Sequence, residues 1–273
     1  AAGTTASVLE PTAGNGMLVF GLEPGTVHVN ELDKTRLHNL EMQNFSKVTN
    51  QDATKPFEGD EQYDAIIANP PFGSAPAKMY DGKEISGLAE QIALNALEKM
   101  KDDGKAAIII GGNMEYGDNG GIKSQKAFFT YLYDHYNVKG VIDMDGKLYK
   151  KQGTTFPTRM ILIDGRRSEE ERAQTKVYPP VKSMAPKKAT TFEELFEIAE
   201  KIRNFKYKTN GNEQPREEAG LLFGPGQTTD PVVRNSSGKA NEGGRDTQPN
   251  DSNRKVERVR GGLDSQSEIE LVP

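Results

Sequence analysis

Short apolar runs alternate with stretches of helical spacing along residues 7–166, and that alternation predicts the architecture. Ser7–Glu10 (SVLE) reads as a buried strand stopped by Pro11, and Gly14–Leu22 as a glycine loop that enters a helix. Thr26–Asn30 alternates like a strand, Asp33–Phe45 places Leu37, Leu40 and Met42 at near-helical spacing, and Lys47–Asn50 is a short strand. Tyr63–Ala68 is a buried strand ended by Asn-Pro-Pro. Leu88–Met100 is a helix with Ile92, Ala93, Ala96, Leu97 and Met100 on one side, ended by Asp102-Asp103-Gly104. Ala106–Ile110 (AAIII) is apolar throughout, as in a parallel strand covered on both faces. A glycine-rich loop, Gly111–Gly121, then leads to a helix over Ser124–Tyr136 with Phe128, Phe129 and Leu132 inward. Val138–Met144 and Arg159–Ile163 follow as two strands too close in sequence for a crossover helix, so this last pair must be antiparallel. The pattern predicts an α/β fold with a doubly wound, mostly parallel sheet and an antiparallel last pair.

Beyond Gly165 the pattern thins. Phe192–Phe205 is an amphipathic helix with Thr191 as its N-cap, whereas Glu169–Arg172 is a solvated charge run. Residues 207–273 are almost bare of apolar runs and read as a disordered polar tail or linker. Composition agrees, with 34% apolar residues and a mean hydropathy of -0.70 over the 273-residue chain. One globular domain of about 160 residues with a polar extension is the economical organisation. The chain does not begin with Met, and it reads as a piece of a longer polypeptide. No apolar stretch approaches the ~20 residues of a membrane span and no leader opens the chain, so the expected location is cytoplasmic. The sequence has no cysteine, which excludes disulfides and thiolate metal sites, and its three histidines (His28, His38, His135) are too scattered to suggest a zinc centre. No metal is expected.

Charge is uneven. Residues 1–120 carry twice as many acids as bases, whereas 121–167 carry nine lysines and arginines against four acids. A basic face formed by Lys123, Lys126, Lys139, Lys147, Lys150, Lys151, Arg159, Arg166 and Arg167 would suit a polyanion; a solvated surface is the competing explanation.

Four constellations carry chemistry. The first is Glu10-Pro11-Thr12-Ala13-Gly14-Asn15-Gly16, a glycine turn at the carboxyl end of the first strand, where open α/β sheets bind nucleotides. A dinucleotide fingerprint needs glycine at position 19, where Val19 stands, and no Gly-Lys-Ser/Thr follows to make a phosphate loop. Glu10 would repel a pyrophosphate and suits a cationic amine; S-adenosylmethionine has an amine and a sulfonium but no phosphate. A structural turn competes with this. The second is Glu31, which follows the second strand, where an acid can accept two hydrogen bonds from a ribose diol or simply favour the dipole of the next helix. The third is Asp52, after the third strand, positioned either for an adenine amine or as a turn cap. The fourth is Asn69-Pro70-Pro71-Phe72. An amine conjugated to a ring is a poor nucleophile. The Asn69 side-chain carbonyl and the Pro70 main-chain carbonyl, preorganised by proline, can each accept an N–H and free the nitrogen lone pair for attack. Phe72 offers a flat face to a base removed from its helix. A strand-terminating turn is the alternative for this segment.

In that order and at those strand ends, these residues resemble the amino-group (N6-adenine) DNA methyltransferases, with the gamma-type order of motifs. The likeness runs from Ser7 to Gly165. It implies a Rossmann-like fold with a seven-stranded sheet and helices on both faces, a methyltransferase domain over 1–167, and a charged linker plus helix over 168–206. It also implies S-adenosylmethionine as cofactor, held by Glu10, Pro11, Thr12, Gly14, Gly16, Glu31 and Asp52. Asn69, Pro70, Pro71 and Phe72 would hold and activate the adenine, by direct transfer without a covalent enzyme intermediate. Gly153-Thr154-Thr155-Phe156-Pro157-Thr158 resembles the family's loop between the last two strands, which makes Phe156 a second stacking face. DNA is the implied partner, with target recognition supplied by additional domains or subunits. The pattern is similar to methylase modules in large phage and mobile-element proteins. Asn-Pro-Pro-aromatic loops also occur in methyltransferases acting on rRNA guanine amines and protein glutamine amides, and a silent S-adenosylmethionine- or DNA-binding module stays open as well.

Overall fold

The computed structural model describes residues 6–112, 115–152, 155–179, 181–182 and 188–204, all within one compact unit. The expected tail, 207–273, lies outside the described residues, as do Phe205, Gly153 and Thr154.

Ten strands are present among the described residues. They are β1 (Val8–Glu10), β2 (Val27–Asn30), β3 (Lys47–Thr49), β4 (Tyr63–Ala68), β5 (Ser74–Tyr80), β6 (Lys83–Gly87), β7 (Met100–Gly111), β8 (Tyr136–Met144), β9 (Thr158–Arg166) and β10 (Lys188–Ala189). The helices are α1 (Lys34–Glu41), α2 (Leu88–Leu97), α3 (Lys126–His135), α4 (Glu169–Gln174) and α5 (Phe192–Asn204). Eight strands form one sheet in the order β10-β8-β9-β7-β4-β1-β2-β3, so the expected seven-stranded count is corrected by β10 on the outer edge. The ladders from β3 to β7 and the β10–β8 pair are parallel, whereas β9 runs antiparallel to both β7 and β8. The short link between β8 and β9 leaves no other direction.

Both faces are covered, and β4 shows the division. Ile66 and Ala68 join the large core beneath α2 and α3, while Ala65 packs into a second core with Val8, Val27, Val29 and Leu40, with Ile67 against it. On that second face, α5 lays Leu195, Ile198 and Ile202 against Ile142, Met160 and Leu162. Thr191 caps α5, its Oγ1 accepting the Glu194 N–H at 3.1 Å.

Three local expectations are corrected. Gly14–Leu22 does not enter an α-helix; it makes 3₁₀ turns, Met17–Val19 and later Pro24–Thr26, and leaves Phe20 82% exposed. Gly14 and Gly16 are left-handed here (φ 59° and 82°), which interrupts helical continuation. Asp102-Asp103-Gly104 does not end a helix: α2 stops at Leu97, and the three residues lie within β7, where the ladder register jumps between Tyr63↔Met100 and Ala65↔Lys105. The Asn-Pro-Pro-Phe loop runs into an antiparallel hairpin, β5–β6, that the apolar pattern did not announce. The run Glu169–Arg172, expected as solvated charge, lies in α4, and its Arg172 ties that helix to the end of α3 and to the β5–β6 turn, donating to Asp134 and Asp81, each at 3.1 Å.

Candidate functional site

The loops after β1, β2 and β4 converge at the carboxyl edge of the sheet because these strands are parallel neighbours, with Leu9 level with His28 and Ile66. Asn30, at the end of β2, is the buried fastener. Its Nδ2 donates to the Pro11 and Gln51 carbonyls, each at 3.0 Å, and its Oδ1 accepts the Gln51 N–H at 2.8 Å and the Thr49 hydroxyl at 2.9 Å. The glycine loop is thereby stitched to the loop that follows β3.

Glu31 and Gly14 meet directly, the Gly14 N–H donating to Glu31 Oε2 at 2.8 Å. Glu31 Oε1 accepts the Asp33 N–H at 2.8 Å and Arg36 Nη2 at 2.9 Å. Burial works against the charged form of Glu31, but the Arg36 guanidinium and the Asp33 and Gly14 N–H groups outweigh it and hold the carboxyl below its usual range. A carboxylate offers about four acceptor positions, and three are taken. One remains for a ligand.

Glu10 behaves in the opposite way. It is 1% exposed, and burial pushes its carboxyl up to about 8, against the hydrogen bonds from Thr12 and the facing main-chain N–H of Asn69 and with the added repulsion of Glu31. At neutral pH it therefore carries a proton. Its Oε1 faces the Thr12 N–H at 3.3 Å, and its Oε2 is buried with no hydrogen-bond partner.

The Asn69 contact brings the Asn69-Pro70-Pro71-Phe72 loop against the glycine loop. Pro70 is buried, whereas Asn69, Pro71 and Phe72 face solvent. Phe72 and Phe156 are 41% and 51% exposed, and their ring centroids lie 6.0 Å apart at an interplanar angle of 37°. Asp52 spends Oδ1 on its own turn, accepting the Thr54 N–H at 3.0 Å and the hydroxyl at 2.7 Å, while Oδ2 faces Lys55 at 3.6 Å.

Residues 15–216 match the family model for N-6 DNA methylase. The chain belongs to the N-6 DNA methylase family. The match takes in Glu31, Asp52 and the whole Asn-Pro-Pro-Phe loop, and begins just after Glu10, Thr12 and Gly14. No curated protein matches the chain. Among solved structures, it is similar to a protein described as a class I S-adenosylmethionine-dependent methyltransferase from Listeria monocytogenes (14% identity, TM-score 0.48, covering 74% of this chain and 65% of that one). It is also similar to the M protein of the type I restriction enzyme EcoKI (15% identity, TM-score 0.43, 61% and 41%). A third is an O-methyltransferase of a Brevibacillus brevis multienzyme in complex with S-adenosyl-L-homocysteine (13% identity, TM-score 0.45, 75% and 82%). The chain thus spans 65% of the length of the Listeria protein and 41% of the EcoKI protein.

Family membership brings S-adenosylmethionine as the cofactor of this methylase, and the residues present fit it. A buried carboxyl oxygen without a partner suits an ammonium group, and the vacant acceptor position on Glu31 suits a ribose hydroxyl.

The expected basic face is corrected in part. Arg159 is fully buried and Arg167 nearly so, and Arg166 donates to the Met100 and Leu97 carbonyls; these three arginines brace the fold. Lys123, Lys126, Lys147 and Lys150 do face solvent, and the side chain of Lys151 lies outside the description. Sequence reasoning missed Asn30, Arg36, Gly111 and Gln125 around the site. Only Arg36 carried a signal, standing one helical turn from Asp33 and five residues from Glu31.

Proposed function

We propose that this methylase transfers a methyl group from S-adenosylmethionine to the N6 amino group of adenine in DNA. The observation that carries the reading is that β1 and β4 are parallel neighbours, so the Asn-Pro-Pro-Phe loop, with the Asn69 main chain facing Glu10, leaves the same sheet edge as the glycine loop. Glu10 and Glu31 would hold the methionine amine and the ribose, with Pro11, Thr12, Gly14 and Gly16 shaping the loop and Asp52 offering Oδ2 to the adenine amine. Bound there, S-adenosylmethionine supplies an electrophilic methyl group. The remaining work belongs to the protein. Asn69 Oδ1 and the Pro70 carbonyl accept the two N6 hydrogens, which turns the nitrogen lone pair out of conjugation with the ring. Pro70 and Pro71 keep the two acceptors from relaxing away. Phe72 and Phe156 hold a base that has left its stack. No residue has to form a covalent bond to substrate.

The solvent-facing lysines Lys123, Lys126, Lys147 and Lys150 of the basic segment favour a nucleic acid over a protein substrate. Further subunits or domains would supply target recognition, as the 41% span of the EcoKI protein suggests. Incubation with methyl-labelled S-adenosylmethionine and unmethylated DNA, rRNA or protein, followed by digestion to nucleosides and amino acids, tests the reading. Label in N6-methyladenine from DNA is expected. Label only in N2-methylguanine or methylglutamine would overturn it.

A further inference from the structure

Gly111 closes β7 directly beneath the two aromatic rings. Its backbone has no need of glycine: it is absent from the residues with positive φ, and it pairs in register with Thr158 of β9. A glycine weakens a strand, because it contributes no side chain and surrenders more freedom on folding. What it provides here is space. A Cβ on Gly111 would lie 3.0 Å from Phe72 Cγ and 3.0 Å from Phe156 Cε1, so both rings rest on the same bare Cα.

The bonds around Gly111 make it a fixed point. Gln125 Nε2 donates to the Gly111 carbonyl at 3.3 Å and also to the buried Glu90 carboxylate. Because both neighbours are acceptors, only one orientation of the Gln125 amide satisfies them. The next residue, Gly112, is bonded on both sides to the chain that follows Phe156: its N–H donates to the Pro157 carbonyl at 2.8 Å, and its carbonyl accepts Arg159 Nε at 2.9 Å. Arg159 is itself buried, 5.3 Å from the centroid of the Phe129 ring. Gly112 has φ 92° and so needs glycine for its backbone, a different reason from that of Gly111. Phe72 and Phe156 come from loops far apart in sequence, and the end of β7 is the element they share.

The centroid separation of 6.0 Å also bears on how a base would enter. A base sandwiched between two parallel rings needs about 6.8 Å, two stacking steps of about 3.4 Å each. The tilted pair leaves less, so at this spacing a base packs against the outside of the pair, with one ring over its face, and not between the two rings.

We propose that Gly111 is a positioning residue for the target base: by leaving both rings room on one Cα, it sets the Phe72–Phe156 spacing against which the base is held. The inference rests on the proposed reading of the two rings as base contacts. The full chain labelled with 4-fluorophenylalanine tests it by fluorine NMR, the two resonances being assigned with Phe72→Leu and Phe156→Leu. In Gly111→Ala both resonances should shift, with the melting temperature and the S-adenosylmethionine dissociation constant unchanged. kcat/KM for methyl transfer to adenine should fall at least about tenfold, because a small displacement of a bound reactant is costly. Adding Phe156→Leu to Gly111→Ala should return the Phe72 resonance toward its original position. Should Gly111→Ala not fold, the double variant decides: recovery of folding supports the proposal and failure to recover overturns it. Unmoved resonances, or unchanged transfer by an active enzyme, would also overturn it. If the unmodified chain moves no methyl to adenine while the resonances still shift, the methyl-transfer reading falls and the hold of Gly111 on the rings stands.

Discussion

The main-chain N–H of Asn69 faces the Glu10 carboxyl, bringing the loop after β4 up to the loop after β1. These loops belong to adjacent parallel strands, so the contact follows from strand order, and it leaves the second carboxyl oxygen of Glu10 buried without a partner. On the proposed reading, the cofactor side and the substrate side of the site share one side chain.

Cofactor binding should release a proton. Without ligand, the Glu10 carboxyl stays protonated up to about pH 8, and an ammonium beside Oε2 would lower that value. Affinity for S-adenosylmethionine should rise with pH towards about pH 8 and then fall as the cofactor's own α-amine, which deprotonates at about pH 8, ceases to present an ammonium. Calorimetry at about pH 7 in two buffers of different ionisation enthalpy should show release approaching one proton, and Glu10→Gln should abolish it. A pH-independent affinity with no proton release would remove Glu10 from the amine pocket.

The same group sets a stability trend in the free protein. Its carboxyl ionises near 4.5 when unfolded and near 8 when folded, so the folded state binds more protons between those values. Stability from this group is fully present below about pH 4.5 and is lost as pH rises through about 8. Glu10→Gln should lack that part of the decline, so its melting temperature relative to the unmodified chain should climb between about pH 6 and about pH 9.

Glu31 and Arg36 should separate in binding. Loss of the carboxylate in Glu31→Ala should weaken S-adenosylmethionine binding by about 1–3 kcal/mol, the scale of a polar ligand group left without its partner. Arg36 occupies Oε1 and is half exposed, so Arg36→Ala frees an acceptor position and should leave affinity equal or tighter. Titration of both variants checks this; parallel weakening would mean that Arg36 itself touches the ligand.

The second face of the sheet depends on Gly140. A Cβ there would come within 2.7 Å of Ile202 Cδ1, so Gly140→Ala should push α5 off β8 and cost about 1–3 kcal/mol. Ile202→Ala in the same chain should recover part of the loss. Equal melting temperatures for Gly140→Ala and the unmodified chain would mean that α5 does not pack there.

Much of this arrangement was legible beforehand, for identifiable reasons. Strands β4, β8 and the second half of β7 are apolar runs closed by turn residues, and the brevity of the β8–β9 link dictated an antiparallel pair. The β1–β2 connection misled because Met17, Leu18 and Phe20 follow helical spacing yet stay exposed, so periodicity there was not a record of burial. The β5–β6 hairpin was silent because β5 is mostly solvent-facing and contains Pro76, so no alternation marks it. Around the site, residue types at strand ends made Glu10, Glu31 and Asn69 candidates, but could not give the charge states of the two acids. The proton on Glu10 comes from its burial, and the charge on Glu31 comes from Arg36 and two main-chain N–H groups. The role of Gly111 arises only when rings from two distant loops meet over it.

The central claim is that Asn69 acts on the substrate amine and not on the cofactor. The most direct measurement is Asn69→Ala followed in parallel by S-adenosylmethionine titration and single-turnover methyl transfer to adenine in DNA. The expected result is a dissociation constant within about threefold of the original and transfer slower by at least about 100-fold, the effect of removing a preorganised transition-state acceptor. Binding and transfer lost in equal measure, or transfer left intact, would contradict the account.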